Sequence, residues 1–451
     1  MLSSAKFKTT MPLRFIHLSD IHFGQERGGL VYVHEDVRER ILDDAEGLRE
    51  TFADRKIDGV LVTGDLAYSG MQEEYAEAGK FLDRLTERMR CARTAVRVIP
   101  GNHDIHRGSI SKASELMLSQ IADKGADSLD AFLEDEQDRE VLYRRLRHYR
   151  KFAEAYDCPL DGAGGIAGEQ VVPLAPDRAL RFIGLNSALS CGKNDERGRL
   201  ILGAKQWVLP RNRGEELIVL CHHPLHWFRD SNAALKYVQA RARVFISGHE
   251  HTPSFSVLPI ESACDLLMLS AGATTPPKQT EIYKYTYNII EFEWDRQQDG
   301  LQVRLYPRIW GERTRFEENS LLPGREKNPV VLGCPNFRAV PAKTAVDSLL
   351  RVKTGHLEYH HESAPPEAEG IQMEDDFPVQ LLRFFRDLTG AQRLSALIAL
   401  GALPPDWTEP LNQSAERRAL DLIRSKGRVG ELKSVIDEQI ERQRTGETTN
   451  G

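Results

Sequence analysis

Short apolar, β-branched runs alternate with longer amphipathic segments over about the first 300 residues of the chain. Leu13–Leu18, Gly59–Thr63, Ala95–Ile99, Leu180–Leu185, Leu217–Leu220, Val244–Ile246 and Leu266–Leu269 are rich in Val, Ile, Leu and Phe and predict buried strands. Glu35–Arg55, Glu73–Arg90 and Arg139–Tyr156 are charged and carry apolar positions at helical period. Strands alternating with helices predict an α/β layered domain whose sheet is largely covered. Ser109–Asp157 reads as a helical insertion over that core, and the alternating runs Tyr285–Phe292 and Leu301–Tyr306 as edge or antiparallel strands. From about Thr354 to Asp376 the chain turns polar and Pro-containing, which predicts a linker. Beyond Phe377 apolar residues recur at three- and four-residue steps through Leu381, Phe385, Leu394, Ile398, Leu420, Ile423, Leu432 and Ile440. These predict a compact all-α segment with its own apolar stripes, folding as a separate unit.

Five of the apolar runs end in loops of metal-ligand chemistry. The first three exit into Asp20-Ile21-His22, Gly64-Asp65 and Gly101-Asn102-His103-Asp104. The later two exit into Cys221-His222-His223-Pro224 and Gly248-His249-Glu250-His251. In open α/β sheets ligands gather outside the carboxyl ends of the strands, where such loops lie. The inventory is two carboxylates, one amide oxygen and four imidazoles, a set without thiolate that suits Mn, Fe, Zn or Co. Seven donors exceed the needs of one tetrahedral ion, and a carboxylate can bridge two. Two metal ions roughly 3.5–4 Å apart form a standard arrangement for phosphoester hydrolysis, activating a bridging hydroxide as nucleophile. Any one motif occurs by chance in many chains; five in order, each after a predicted strand, do not.

The ordered set resembles the calcineurin-like metallophosphoesterase family, whose pattern runs D-x-H, G-D, G-N-H-[DE], H-x-P, G-H-x-H, and it spans about Leu13 to Tyr306. The resemblance implies a four-layer α/β/β/α sandwich and two metal sites. One ion would be held by Asp20, His22, Asp65 and His251, the other by Asp65, Asn102, His222 and His249, with Asp65 bridging. By the same resemblance His103 is the non-ligand histidine that contacts the phosphate and assists the leaving group, and Asp104 orients its ring. His223 reads as a hydrogen-bonding neighbour of the ligands, Tyr68 as a wall residue, His17 and Cys221 as core. His106 and His226 either touch substrate or cap their loops.

Ser/Thr protein phosphatases of the family carry G-D-x-x-D-R-G and G-N-H-E; this chain has Gly64-Asp-Leu-Ala-Tyr-Ser-Gly70 and Gly-Asn-His-Asp104, closer to bacterial phosphodiesterases. A phosphodiesterase acting on a phosphoester, a nucleotide among the candidates, is therefore the leading reading. A nuclease of the same fold, and a non-catalytic scaffold acting through its helical tail, are the alternatives. Lys+Arg 60 against Asp+Glu 67 leaves a net charge of -7, the wrong sign for bulk adhesion to nucleic acid or anionic lipid. The six scattered cysteines form no C-x-x-C pair, and no apolar run approaches the roughly 20 residues of a membrane span. Free thiols and the lack of a visible secretory segment predict a cytoplasmic protein without membrane contact. The expected organisation is a phosphoesterase domain over 12–320 with an insertion at 109–157, a connecting segment and linker over 321–376, and a helical domain over 377–446. That last domain weakly resembles the effector-associated, death-like adaptors of bacterial conflict proteins, which implies a protein partner or self-association.

Overall fold

The computed structural model describes residues 11–28, 33–260, 265–276, 284–337 and 376–445. The first strands are the runs that hydropathy marks: β1 (Leu13–Leu18), β2 (Gly59–Thr63) and β3 (Val96–Ile99) lie parallel and side by side. Every residue of β2 is buried, which is why it reads as a continuous apolar run and not an alternating one. Helices α1 (Val33–Thr51) and α2 (Gln72–Met89) make the crossovers between them. The insertion after β3 is helical, with α3 (Lys112–Lys124), α4 (Ala126–Glu134), α5 (Glu136–Tyr143) and α6 (Arg147–Ala155). The chain then enters a second sheet through β4 (Glu169–Ala175) and β5 (Arg178–Leu185). It continues with the single-turn α7 (Ala204–Trp207), β6 (Glu215–Cys221), α8 (Ser231–Arg241), β7 (Ala242–Ser247), β8 (Pro253–Leu258) and β9 (Leu266–Ala271). The chain returns to the first sheet as β10 (Thr286–Asp295), β11 (Gly300–Trp310), β12 (Phe316–Glu318) and β13 (Val330–Gly333).

The first sheet runs β12-β11-β10-β1-β2-β3, with β13 also on β11, and the second runs β4-β5-β6-β7-β9-β8. They meet face to face through Phe15, Phe182 and Phe292, whose ring centroids lie 5.0–6.1 Å apart. The two-sheet α/β sandwich, its helical insertion and a separate C-terminal helical region are the architecture that the sequence predicts. Four strands escape the hydropathy reading: β4, β8, the three-residue β12, and β13. In β4 and β8 most positions are only half-buried or exposed, so each lacks an apolar run.

Residues 321–337 differ from the expected connecting segment. β13 pairs with β11, Cys334 and Phe337 are buried, and Asn336 N–H donates to Glu216 Oε1 (2.8 Å). The backbone of Asn336 also accepts from Gly214 N–H (2.8 Å). This stretch therefore ties the second sheet to the first and belongs to the catalytic domain. The expected linker at 354–376 lies outside the described residues except for Asp376, as do the N-terminal ten residues and Cys264. The five described cysteines are free. Among the described residues, no helix is long and apolar enough to cross a membrane.

The tail forms α9 (Phe377–Asp387), α10 (Gly390–Ala399), α11 (Gln413–Ser425) and α12 (Val429–Thr445). Phe384 is wholly buried, whereas Trp407 is 37% exposed. The helices dock on α6 and α2 through charged side chains. Arg93 grips Asp387 with both terminal nitrogens (3.0 Å each) and Asp83 through Nε (2.7 Å), and Arg386 donates to Asp83 Oδ2 (2.8 Å). Arg417 reaches Glu154 (3.1 Å) and Asp157 (2.9 Å).

Asp83 is thus the acceptor that two guanidiniums share. Asp83→Ala should weaken the docking by about 1–2 kcal/mol, since its charge-assisted bonds are only partly shielded from water. Hydrogen exchange at α9 should speed up accordingly, and unchanged exchange there would refute this account of the interface.

Candidate metal centre

The five loops do converge at the carboxyl ends of β1, β2, β3, β6 and β7. Their backbone is unusual. Asp20, His22, Asp65, His249 and His251 all have positive φ, between 52° and 70°, a region that non-glycine residues rarely enter. Such conformations cost roughly 1–3 kcal/mol each and persist where the surroundings over-determine them. Here they turn five of the seven predicted donors toward one point. The same crowding explains two glycines: a Cβ on Gly64 would lie 2.5 Å from the His222 ring, and one on Gly101 would collide with the Asp65 carboxylate.

Hydrogen bonds fix which nitrogen each imidazole presents. His22 Nδ1–H donates to the Thr275 carbonyl (3.2 Å), and His222 Nδ1–H to the Thr63 carbonyl (2.8 Å). A carbonyl only accepts, so each neutral ring keeps its lone pair on Nε2, facing inward. There His222 Nε2 lies 3.1 Å from Asn102 Oδ1 and 3.3 Å from Asp65 Oδ2, and His22 Nε2 lies 3.5 Å from that same carboxylate oxygen. On the other side His251 Nε2 stands 3.2 Å from Asp20 Oδ1. His22 Nε2 is fully buried without a hydrogen bond of ordinary geometry. Acceptor atoms facing one another at these distances suit a shared cation or a shared proton between them.

The electrostatics say the same. Burial pushes the carboxyls of Asp20 and Asp65 up, but the facing histidines outweigh it and hold both well below the usual carboxylate range. Burial lowers His222, yet Asp65 and Asp20 raise it to about 9, while His249, buried beside it, falls to about 4. One imidazole is thus driven to carry the positive charge that a metal ion would supply. Ligand atoms of Asp20, His22 and His251 lie within 4.8 Å of one another, as do those of Asp20, Asp65 and His222. The donor set is oxygen and nitrogen throughout, so these residues fit divalent first-row ions.

His103 lies beside this cluster, its ring centroid 4.8 Å from that of His22. Its Nδ1–H donates to the Tyr68 carbonyl (2.8 Å), and the Tyr68 ring stacks on it at 5.4 Å. The wall residue therefore also orients the histidine, a role expected of Asp104. Asp104 instead accepts from the backbone N–H groups of Leu66 (3.3 Å), Ala67 (3.0 Å) and Gly101 (2.9 Å) and from Tyr75 OH (3.0 Å). Its carboxylate pins the Asp65 loop to the His103 loop, and its position in sequence beside His103 conceals this.

His223 shares a hydrogen bond with Ser187 Oγ (2.9 Å) through Nδ1, while its Nε2 falls within 4.8 Å of ligand atoms of His222 and His249. It is closer to the donors than a purely supporting neighbour need be. His17 is a core residue bonded to Thr63 Oγ1 (2.9 Å), although its Nδ1 has no partner. Cys221 is buried and its thiol is pushed up to about 12, which suits a core residue and not a nucleophile. His226 pairs with Glu250 of the His249–His251 loop (2.6 Å), while His106 bonds Ser109 Oγ within its own loop (2.6 Å). The sequence gives no hint of Trp227, whose ring meets His249 edge-on at 4.2 Å.

With the geometry in place, the comparisons with known proteins are direct. The family model for calcineurin-like phosphoesterases matches residues 13–253, and the chain belongs to that family. The chain also carries a helical tail that the model for the GTPase-associated adaptor domain matches over residues 380–438. The uncharacterized metallophosphoesterase-like protein YydB of Bacillus subtilis (strain 168) is 24% identical over 319 residues, 64% of this chain. The chain covers 63% of that relative's length. Among solved structures, a purple acid phosphatase from yellow lupin is 13% identical, with a TM-score of 0.36 over 66% of this chain and 52% of that one. NAD nucleotidase from Haemophilus influenzae is 12% identical, with a TM-score of 0.33 over 84% of this chain and 60% of that one.

Four donors converge on the Asp104 carboxylate, and an amide in its place would turn an N–H₂ toward some of them. Asp104→Asn should therefore lower stability by at least about 2 kcal/mol through unpaired buried donors, and turnover should fall with it. An unchanged thermal melt would show that the four contacts do not hold the loops.

Proposed function

We propose that the chain hydrolyses a phosphodiester at a dinuclear metal centre. One ion is assigned to Asp20, His22, Asp65 and His251, the other to Asp65, Asn102, His222 and His249. The observation that carries this reading is the placement of Asp65 Oδ2 between His22 Nε2 and His222 Nε2, at 3.5 and 3.3 Å. Its other oxygen accepts from His103 N–H (2.7 Å), which holds the carboxylate in an orientation that supports a bridging role. Divalent ions bound here supply Lewis-acid activation of water and neutralise charge on the phosphate.

The protein's own part is positioning and proton transfer. The Tyr68 carbonyl holds His103 with Nε2 free to face the ester, and burial lowers the pKa of this ring. His103 in this reading contacts the phosphate and passes a proton to the departing oxygen. The Gly64–Gly70 loop lacks the arginine of protein phosphatases, which favours diesters over phosphoproteins. The match to an adaptor domain supports a protein partner for the tail, as do Val379 and Leu422, 40% and 50% exposed on its surface. The free cysteines support a cytoplasmic setting.

Asp65→Ala should empty both sites together, because each assigned set contains it. Elemental analysis of the purified variant should find neither ion, with activity lost; one retained ion and surviving hydrolysis would defeat the dinuclear assignment.

His103→Ala separates binding from chemistry. Metal content should stay at the wild-type level while turnover falls by about 10²–10⁴, the usual contribution of a positioned acid–base group. The loss should shrink for aryl diesters with good leaving groups, which need little protonation. Equal losses across leaving groups would assign His103 to the phosphate charge alone, and lost metal would contradict the ligand sets.

A further inference from the structure

Away from the metal loops, a cavity of about 160 Å³ opens where the edge of the first sheet meets the second. β3 contributes Arg97 and Ile99 to its wall, β5 contributes Phe182 and Gly184, the turn after α6 contributes Cys158, and Pro378 at the start of α9 closes it. The sheets approach closely here: a Cβ on Gly184 would lie 2.6 Å from an Ile99 methyl.

Arg97 is the anomaly. It is 6% exposed, and its Nε and Nη1 have no hydrogen-bond partner among the described residues. Arg14 bonds Glu291 and Asp54 and Arg393 bonds Glu416, while Arg145, whose Nε is also unpartnered, has its terminal nitrogens on the carbonyls of Leu142 and Leu189. Arg97 has only the faces of Phe15 (5.3 Å) and Phe182 (5.0 Å). Stacking on rings leaves the in-plane donors unmet and the charge uncompensated. The two acidic residues at the cavity wall are already engaged elsewhere, Asp157 by Arg417 (2.9 Å) and Glu169 by Arg181 (2.9 Å). Burial holds the guanidinium down to about 10 against the opposing pull of Cys158 and Asp58, so it remains a cation at neutral pH.

A buried, unpaired charge beside an empty volume is expensive unless an opposite charge enters that volume. A guanidinium fork selects planar or tetrahedral oxyanions, and an apolar-walled cavity of about 150 Å³ is large enough for a benzene ring. We propose that this cavity is a second ligand site, taking a small oxyanion with a short apolar body through the Arg97 guanidinium. Because Pro378 belongs to the tail, the bound molecule touches the catalytic domain and the docked helices together.

The test uses the full chain and two probes, 4-bromobenzoate and its neutral isostere 4-bromobenzamide. Calorimetry should show saturable binding of the benzoate only. Arg97→Met, which keeps the stem and removes the charge, should weaken that binding roughly thirtyfold or more, as expected when one partner of a buried charge pair is truncated. Crystals of the unaltered protein soaked in 4-bromobenzoate should give an anomalous bromine peak beside Arg97, a readout independent of whether the variant folds. No binding at millimolar concentration, equal binding by Arg97→Met or by the benzamide, or bromine found only elsewhere would each overturn the proposal.

Discussion

Asp20 and Asp65 are both wholly buried, and two negative charges at that depth would each be driven to take up a proton unless cations faced them. The structure answers with imidazoles. His22, His222 and His251 bring Nε2 to within 3.2–3.5 Å of the two carboxylates. His222 and His22 are accordingly shifted toward the protonated form, and each has committed its Nδ1–H to a backbone carbonyl. The cluster therefore favours positive charge at its centre, from protons or from bound cations. Positive φ at five donors turns their side chains toward that same centre.

The fold supplies the frame by bringing the ends of parallel strands together. β1, β2 and β3 end side by side in one sheet, β6 and β7 in the other, and each exit loop needs only one to four residues to reach the centre. Contacts across the sandwich then lock the loops. Thr275 N–H donates to the Asp20 carbonyl (3.0 Å) while its own carbonyl takes the His22 proton. Asp104 binds the second loop to the third. These supports are backbone-directed, so they fix position without demanding conspicuous side chains.

That division explains what was legible in the sequence. Buried parallel strands announce themselves as continuous apolar runs, and donors such as Asp20 or His249 stand immediately after them, so the first ring of the site is written in local order. Its supports are not: His22 and Thr275 are 253 residues apart, and a carbonyl has no sequence signature. Asp104 misleads because neighbours in sequence need not be partners in space; its carboxylate points back to Leu66 and Ala67, 38 and 37 residues earlier. β4 and β8 are hidden by half-exposed positions, and β13 by its place in a polar stretch. Arg97 reads as an ordinary charged residue in a strand, and its lack of a partner is visible only once Phe15 and Phe182 are in place.

The helical insertion gains its meaning from what lies on either side of it. On one side, Phe152 of α6 packs on Tyr75 at 5.3 Å, and the Tyr75 hydroxyl donates to Asp104, the carboxylate that holds the metal loops. On the other side, Glu154 of the same helix and Asp157 just beyond it receive Arg417 of the tail. One helix thus carries on opposite faces a contact to the loop pin and a contact to the adaptor-like region. The tail also meets α2 directly, through Arg386 and Asp83 (2.8 Å), and α2 carries the Tyr75 ring on which the Asp104 bond depends. Rigid packing of this kind transmits displacement in discrete steps and not by gradual deformation. The tail therefore packs against the two helices, α2 and α6, that support the Asp104 contact.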